Sequence, residues 1–130
     1  MVFTFLALCL RPAQADLLDL IEPHLWASDC AQSQTRETPA WQKLQRHEWC
    51  WHSVGDFGRV HSACEAVTWT YMGRNRMAAQ FDDGHIEIVE MIAGDRLSVF
   101  RDIDGQFQQV SILSRARHNQ DIATHFVQCH

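Results

Sequence analysis

The spacing of apolar residues along this chain changes near its middle. Between Asp16 and about Ala31, Leu17, Leu18, Ile21 and Leu25 fall at helical intervals, which predicts a helix with one inward face. Pro23 breaks that run. Lacking an amide hydrogen, it suits the first turn of a second helical segment, with the first ending near Ile21 or Glu22. Gln32 to Glu37 is polar and reads as a loop. Thr38-Pro39 then offers a capping residue followed by a helix-compatible proline, so a further helix is expected from Pro39 to about Glu48, with Trp41 and Leu44 on one side.

Beyond Val54 the texture is that of strands. Gly55-Asp56-Phe57-Gly58 is a turn or loop signal, and the residues after it are rich in β-branched and aromatic types between turns. The expected strands are roughly Arg59 to Met72, Arg76 to Phe81, His85 to Ile92, Arg96 to Arg101, Gln106 to Leu113 and Ile122 to Cys129. Gly73-Arg74-Asn75, Asp82-Asp83-Gly84, Ala93-Gly94-Asp95 and Asp102-Ile103-Asp104-Gly105 separate them and are too short for parallel crossovers. Alternation places Ile86 with Ile88, Leu97 with Val99 and Val110 with Ile112 on the covered face, and Glu87, Ser98 and Ser111 on the other. The expected fold class is α+β: one or two N-terminal helices packed on an antiparallel β-meander of about five to six strands, tied by two disulfides.

The first residues change the picture of compartment. Val2 to Leu10 form a short apolar core, Arg11-Pro12 breaks it, and Ala13-Gln14-Ala15 supplies the small residues a signal peptidase needs. Residues 1–15 are therefore expected to be an export signal and 16–130 a single domain, periplasmic or secreted. No positive charge precedes the apolar core, so a buried N-terminal element of a cytosolic protein is the alternative. The apolar run is too short to cross a bilayer as a helix, which takes about 20 residues, so no integral membrane segment is expected in the mature chain.

Charge narrows the partners. The formal net charge is −5, with 16 acidic and 11 basic residues and the signs interspersed, which leaves no positive footprint for a nucleic-acid backbone. Export also decides the sulfur chemistry: Cys30, Cys50, Cys64 and Cys129 form an even set, expected to pair as Cys50 with Cys64 and Cys30 with Cys129.

The densest unusual segment runs from Arg46 to His52, with His61 and Cys64 beyond it. Cys50-x-His52 and His61-x-x-Cys64 hold the donor types of a tetrahedral zinc site, but the spacing is not that of a standard finger and oxidation would join the sulfurs, so no metal and no cofactor are expected. A cysteine nucleophile, with His47 or His52 serving Cys50 or His125 serving Cys129, needs a free thiolate that a disulfide removes. No G-x-S-x-G elbow or glycine-rich phosphate loop occurs. Among Glu48, Glu87, Glu90, Asp82 and Asp83 nothing in the spacing selects an acid–base pair, and Asp82-Asp83-Gly84 reads as a turn. His24, His85 and His118 read as ordinary surface residues.

Five tryptophans remain, Trp26, Trp41, Trp49, Trp51 and Trp69, suited to fill a small core or to anchor a partner. In an extended stretch Trp49 and Trp51 share a face with His47. The expectation is a non-catalytic binding module, of inhibitor, immunity or accessory type, engaging another envelope or secreted protein through Trp49, Trp51, His47 and His52. The rival is a small exported enzyme or ligand-binding protein with a pocket between sheet and helices, using His47, Glu48, His52 or His125.

Overall fold

The computed structural model describes residues 13–28, 41–54 and 59–116. One helix, α1 (Ala13–Ile21), precedes eight strands: β1 (Leu25–Ser28), β2 (Trp41–Leu44), β3 (Glu48–Val54), β4 (Val60–Gly73), β5 (Arg76–Phe81), β6 (Ile86–Ala93), β7 (Arg96–Ile103) and β8 (Gln106–Ala116). Each strand pairs antiparallel with the next, and β8 returns to β1 with Leu25 opposite Ala116 and Ser28 opposite Leu113. The result is a closed up-and-down barrel.

This corrects the expected α+β architecture. The helix foreseen from Pro39 to Glu48 is replaced by β2, a turn and the start of β3, and the segment after Pro23 is β1. The physical reason lies in closure. Gln42 and Leu44 are buried while Trp41 and Lys43 are half-buried on the other face, a period of two that β2 satisfies by pairing with β1 and β3 at once. A helix there would leave both neighbours with an unpaired edge. The foreseen strand Ile122 to Cys129 lies outside the described residues. So does the foreseen Cys30–Cys129 bridge; the single disulfide among the described residues is Cys50–Cys64.

The later hairpins form where their turn residues predict. Asp104 and Gly105 both take positive φ, 54° and 87°, the mirror-image turn whose twist matches flanking strands. Arg74 and Asn75, at 55° and 60°, do the same between β4 and β5. The facing of β6 differs from the expected one. Glu87 sits opposite Ala79, and Val89 opposite Met77, so Glu87 and Val89 point into the barrel while Ile86 and Ile88 lie on the other face. Leu97 and Val99 do point inward. In β8, Leu113 faces in with Leu97, and Val110 reaches the core from a bulge opposite Val99 and Phe100.

Side chains fill the interior, as an eight-stranded barrel allows. Trp26, Leu44, Trp49, Trp69, Met77, Phe81, Val89, Leu97 and Leu113 form the core, and Leu17, Leu18 and Ile21 of α1 close one end. Each large indole finds a partner: Trp49 Nε1 donates to Gln42 Oε1 at 2.8 Å, Trp26 Nε1 to the Ile21 carbonyl at 3.0 Å, and Trp69 Nε1 to the Gln45 carbonyl at 2.9 Å. The last two bonds also pin the helix end and the β2–β3 turn. Glu22 adds to this by accepting the Arg46 amide at 2.6 Å.

Replacing Trp49 by alanine is expected to cost about 3–5 kcal/mol, read as a lower urea midpoint, because the residue is buried on all sides. Reducing Cys50–Cys64, whose partners are 14 residues apart, is expected to cost about 3 kcal/mol by the same measurement with and without a phosphine reductant.

Candidate functional site

The two ends of the barrel differ. α1 covers the end that holds the start of β1, the β2–β3 turn and the end of β8. The β5–β6 and β7–β8 turns stand at the opposite mouth, where Gly84, His85, Ile86, Arg101, Asp102 and Phe107 line a pocket of about 440 Å³.

A polar line built on alternate residues runs into this mouth. Because β6 turns its odd positions inward, Glu87 is buried, and its register partner on β7 is Arg101. Arg101 donates to Glu87 Oε1 from Nη2 at 2.9 Å and from Nε at 3.1 Å. On the other side His85 Nε2 lies 3.5 Å from Glu87 Oε2, and His85 Nδ1 lies 3.2 Å from Asp83 Oδ1. The His85 amide also donates to Asp83 Oδ1 at 2.9 Å, and that bond, helped by the imidazole, holds the exposed Asp83 carboxyl below its ordinary value. The chain Asp83, His85, Glu87, Arg101 thus satisfies a carboxylate that burial alone would make costly.

An aromatic column supports the imidazole from below. His85 lies flat on Phe81, with ring centroids 4.3 Å apart and planes 1° from parallel. Phe81 packs on Trp49 and Trp51 at 5.6 and 5.9 Å, and Trp49 on Trp69 at 5.9 Å. The core therefore continues as stacked rings up to the mouth, which fixes the height and tilt of His85. Around this centre the hairpin tips carry exposed Asp82, Asp83, Asp102 and Asp104, and the exposed apolar residues Ile86, Ile103 and Phe107. The pocket lining holds no serine, cysteine, threonine or lysine, and its one carboxylate is Asp102.

Of the residues singled out from sequence, Trp49 meets Trp51 and Cys50 meets Cys64, while His47 and His52 lie apart from one another. Trp49 is 1% exposed and belongs to the core; Trp51 is half-buried and stacks on it at 5.4 Å. His47 is exposed in the β2–β3 turn at the helix end, where it lines a cleft of about 180 Å³ with Leu18, Arg46 and Val67. His52 lies elsewhere on β3, opposite Trp41, its ring stacked on that indole at 5.5 Å and its Nδ1 2.7 Å from the Ser62 hydroxyl. Cys50 and Cys64 face each other in register and are bonded, so the thiolates that a zinc site or a nucleophile needs are consumed, although a Glu48 carboxylate oxygen lies within 4.8 Å of both sulfurs. His125 falls outside the described residues. Sequence reasoning missed the line at the mouth, whose only signal was the alternation Asp83-x-His85-x-Glu87.

Burial, reinforced by the Lys43 ammonium, pushes the His52 imidazole below its ordinary value of 6.5. The unfolded chain then binds the proton more readily than the folded one, so stability falls as pH drops below 6.5. Urea unfolding between about pH 7 and pH 5, a window above carboxylate titration, is expected to show this loss, and His52→Gln is expected to flatten it. Arg101→Ala, which leaves the Glu87 carboxylate short of its donors, is expected to lower stability by about 1–2 kcal/mol in the same assay at neutral pH.

The chain matches no protein-family model, and no protein of curated function resembles it in sequence.

Proposed function

We propose that this protein is a non-catalytic, disulfide-stabilised binding module of the periplasm or exterior, acting as an inhibitor, immunity-type or accessory protein, and that it grips a basic protein partner with the barrel mouth. The observation that carries this reading is the exposure of Ile86, 37%, and Phe107, 46%, on the walls of one pocket around Arg101. Exposed apolar anchors beside an accessible guanidinium, itself held by the buried Glu87 carboxylate, are the composition of an interface centre. The four aspartates at the hairpin tips surround it with negative charge, which steers and selects a cationic surface.

The interior supports a protein partner over a small ligand. Tryptophans and aliphatic side chains occupy the lumen, so the space that ligand-carrying barrels keep open is filled here. The cleft between helix and sheet, about 180 Å³, is smaller than the roughly 300–1,000 Å³ that drug-sized ligands use, and the mouth pocket, about 440 Å³, is walled by exposed side chains, Ile86 and Phe107 among them. Trp49 and His47 have no part in this reading, the first because it is core and the second because it lies at the helix end.

The test is affinity capture from periplasmic extract or culture fluid with wild-type protein, Phe107→Ala, and Asp102→Asn/Asp104→Asn. Wild type is expected to retain a stoichiometric basic protein. Phe107→Ala should weaken retention at least about tenfold with unfolding unchanged, and the aspartate variant should weaken it most at low salt. A partner held equally by all three proteins would refute the mouth as the binding surface.

A further inference from the structure

β4 is longer than either neighbour can pair. Its first half, Val60 to Ala66, pairs with β3, and its second half, from Val67 on, pairs with β5. β5 ends at Phe81, opposite Val67, so among the described residues Val60 to Ala66 have no strand on their second side. All seven are exposed.

The register identifies which backbone groups face that side. The Val67 amide donates to the His47 carbonyl at 3.0 Å, and Cys50 and Cys64 approach to 4.0 Å between Cα atoms, the close spacing of a pair without mutual ladder bonds. Odd residues of β4 therefore bond β3, whereas Val60, Ser62, Cys64 and Ala66 turn their amide and carbonyl groups outward. Free edges are usually blunted by proline, lysine or a bulge. Val60-His61-Ser62-Ala63-Cys64-Glu65-Ala66 has none of the three, and Glu65 is its one carboxylate.

We infer that this edge joins a second copy of the same chain, antiparallel about a two-fold axis at Ala63. In that register Val60 lies opposite Ala66, Ser62 opposite Cys64, and Ala63 opposite its own copy. The outward-facing residues then meet one another and complete a ladder, while Ala63 falls at a close pair where a small side chain fits. Each Glu65 carboxylate meets the His61 imidazole of the partner copy, so the group that would discourage a foreign strand finds a hydrogen-bonding partner twice by the symmetry. This surface is separate from the pocket at the mouth, and the inference does not depend on the proposed function.

Sedimentation velocity of the oxidised protein tests it. Wild type is expected to sediment as a dimer at about 100 µM. Ala63→Lys sets two ammonium groups against each other at the axis, and His61→Glu sets the introduced carboxylate of each copy against Glu65 of the other. Each variant is expected to weaken the dimer at least about tenfold. The double variant His61→Glu/Glu65→Lys sets opposite charges face to face and is expected to restore the dimer. Unchanged circular dichroism, and unchanged urea midpoints at a dilution where wild type is monomeric, confirm that each variant folds, since all of these positions are exposed. A monomeric wild type, or a dimer that Ala63→Lys and His61→Glu leave intact, would overturn the inference.

Discussion

Closing eight strands on themselves creates an interior that side chains must fill, and here the filling turns on Trp49. Its indole stacks between Trp51 and Trp69, touches Phe81, and spends its one polar hydrogen on Gln42 of the neighbouring strand. Both ends of the molecule are built outward from that ring. Toward the helix, Trp69 and Trp26 hand their N–H groups to Gln45 and Ile21, which seats α1 over the barrel. Toward the mouth, Phe81 carries the stack up to His85. The same packing that stabilises the fold thus fills the lumen between the described strands and sets the position of the polar line at the rim.

How much of this was legible in the sequence depends on how local each decision was. The strands β4 to β8 follow the predicted boundaries closely because each hairpin is written in its own turn residues, Arg74-Asn75 and Asp104-Gly105 among them. α1 follows from Leu17, Leu18 and Ile21. β1 and β2 did not follow, since four residues hold barely two periods of alternation and their pairing depends on partners as distant as β8. A Thr-Pro cap signal then outweighed a strand that only closure could reveal.

The candidate site shows the same division. Cys50 and Cys64 were pairable from their spacing once an oxidising compartment is expected. The mouth was hidden by a sound rule applied in the wrong phase: two isoleucines, Ile86 and Ile88, outvoted Glu87 for the inward face. Only the register with Ala79 and Arg101 shows that β6 buries its carboxylate and presents isoleucine outward. Such reversals concentrate where a surface has work to do, because neither a buried charge nor an exposed apolar side chain is favoured by folding alone.

The seam between β1 and β8 has a temporal meaning as well. It joins residues 25–28 to residues 113–116, so among the described residues the first strand must wait for the last. A ribosome or a secretion channel releases the N-terminus first, and until Ala116 emerges Trp26 and the apolar face of α1 have no permanent place. The nascent protein is therefore obliged to keep these apolar groups shielded, by a chaperone or by transient collapse, while residues 29–112 between the two strands are made.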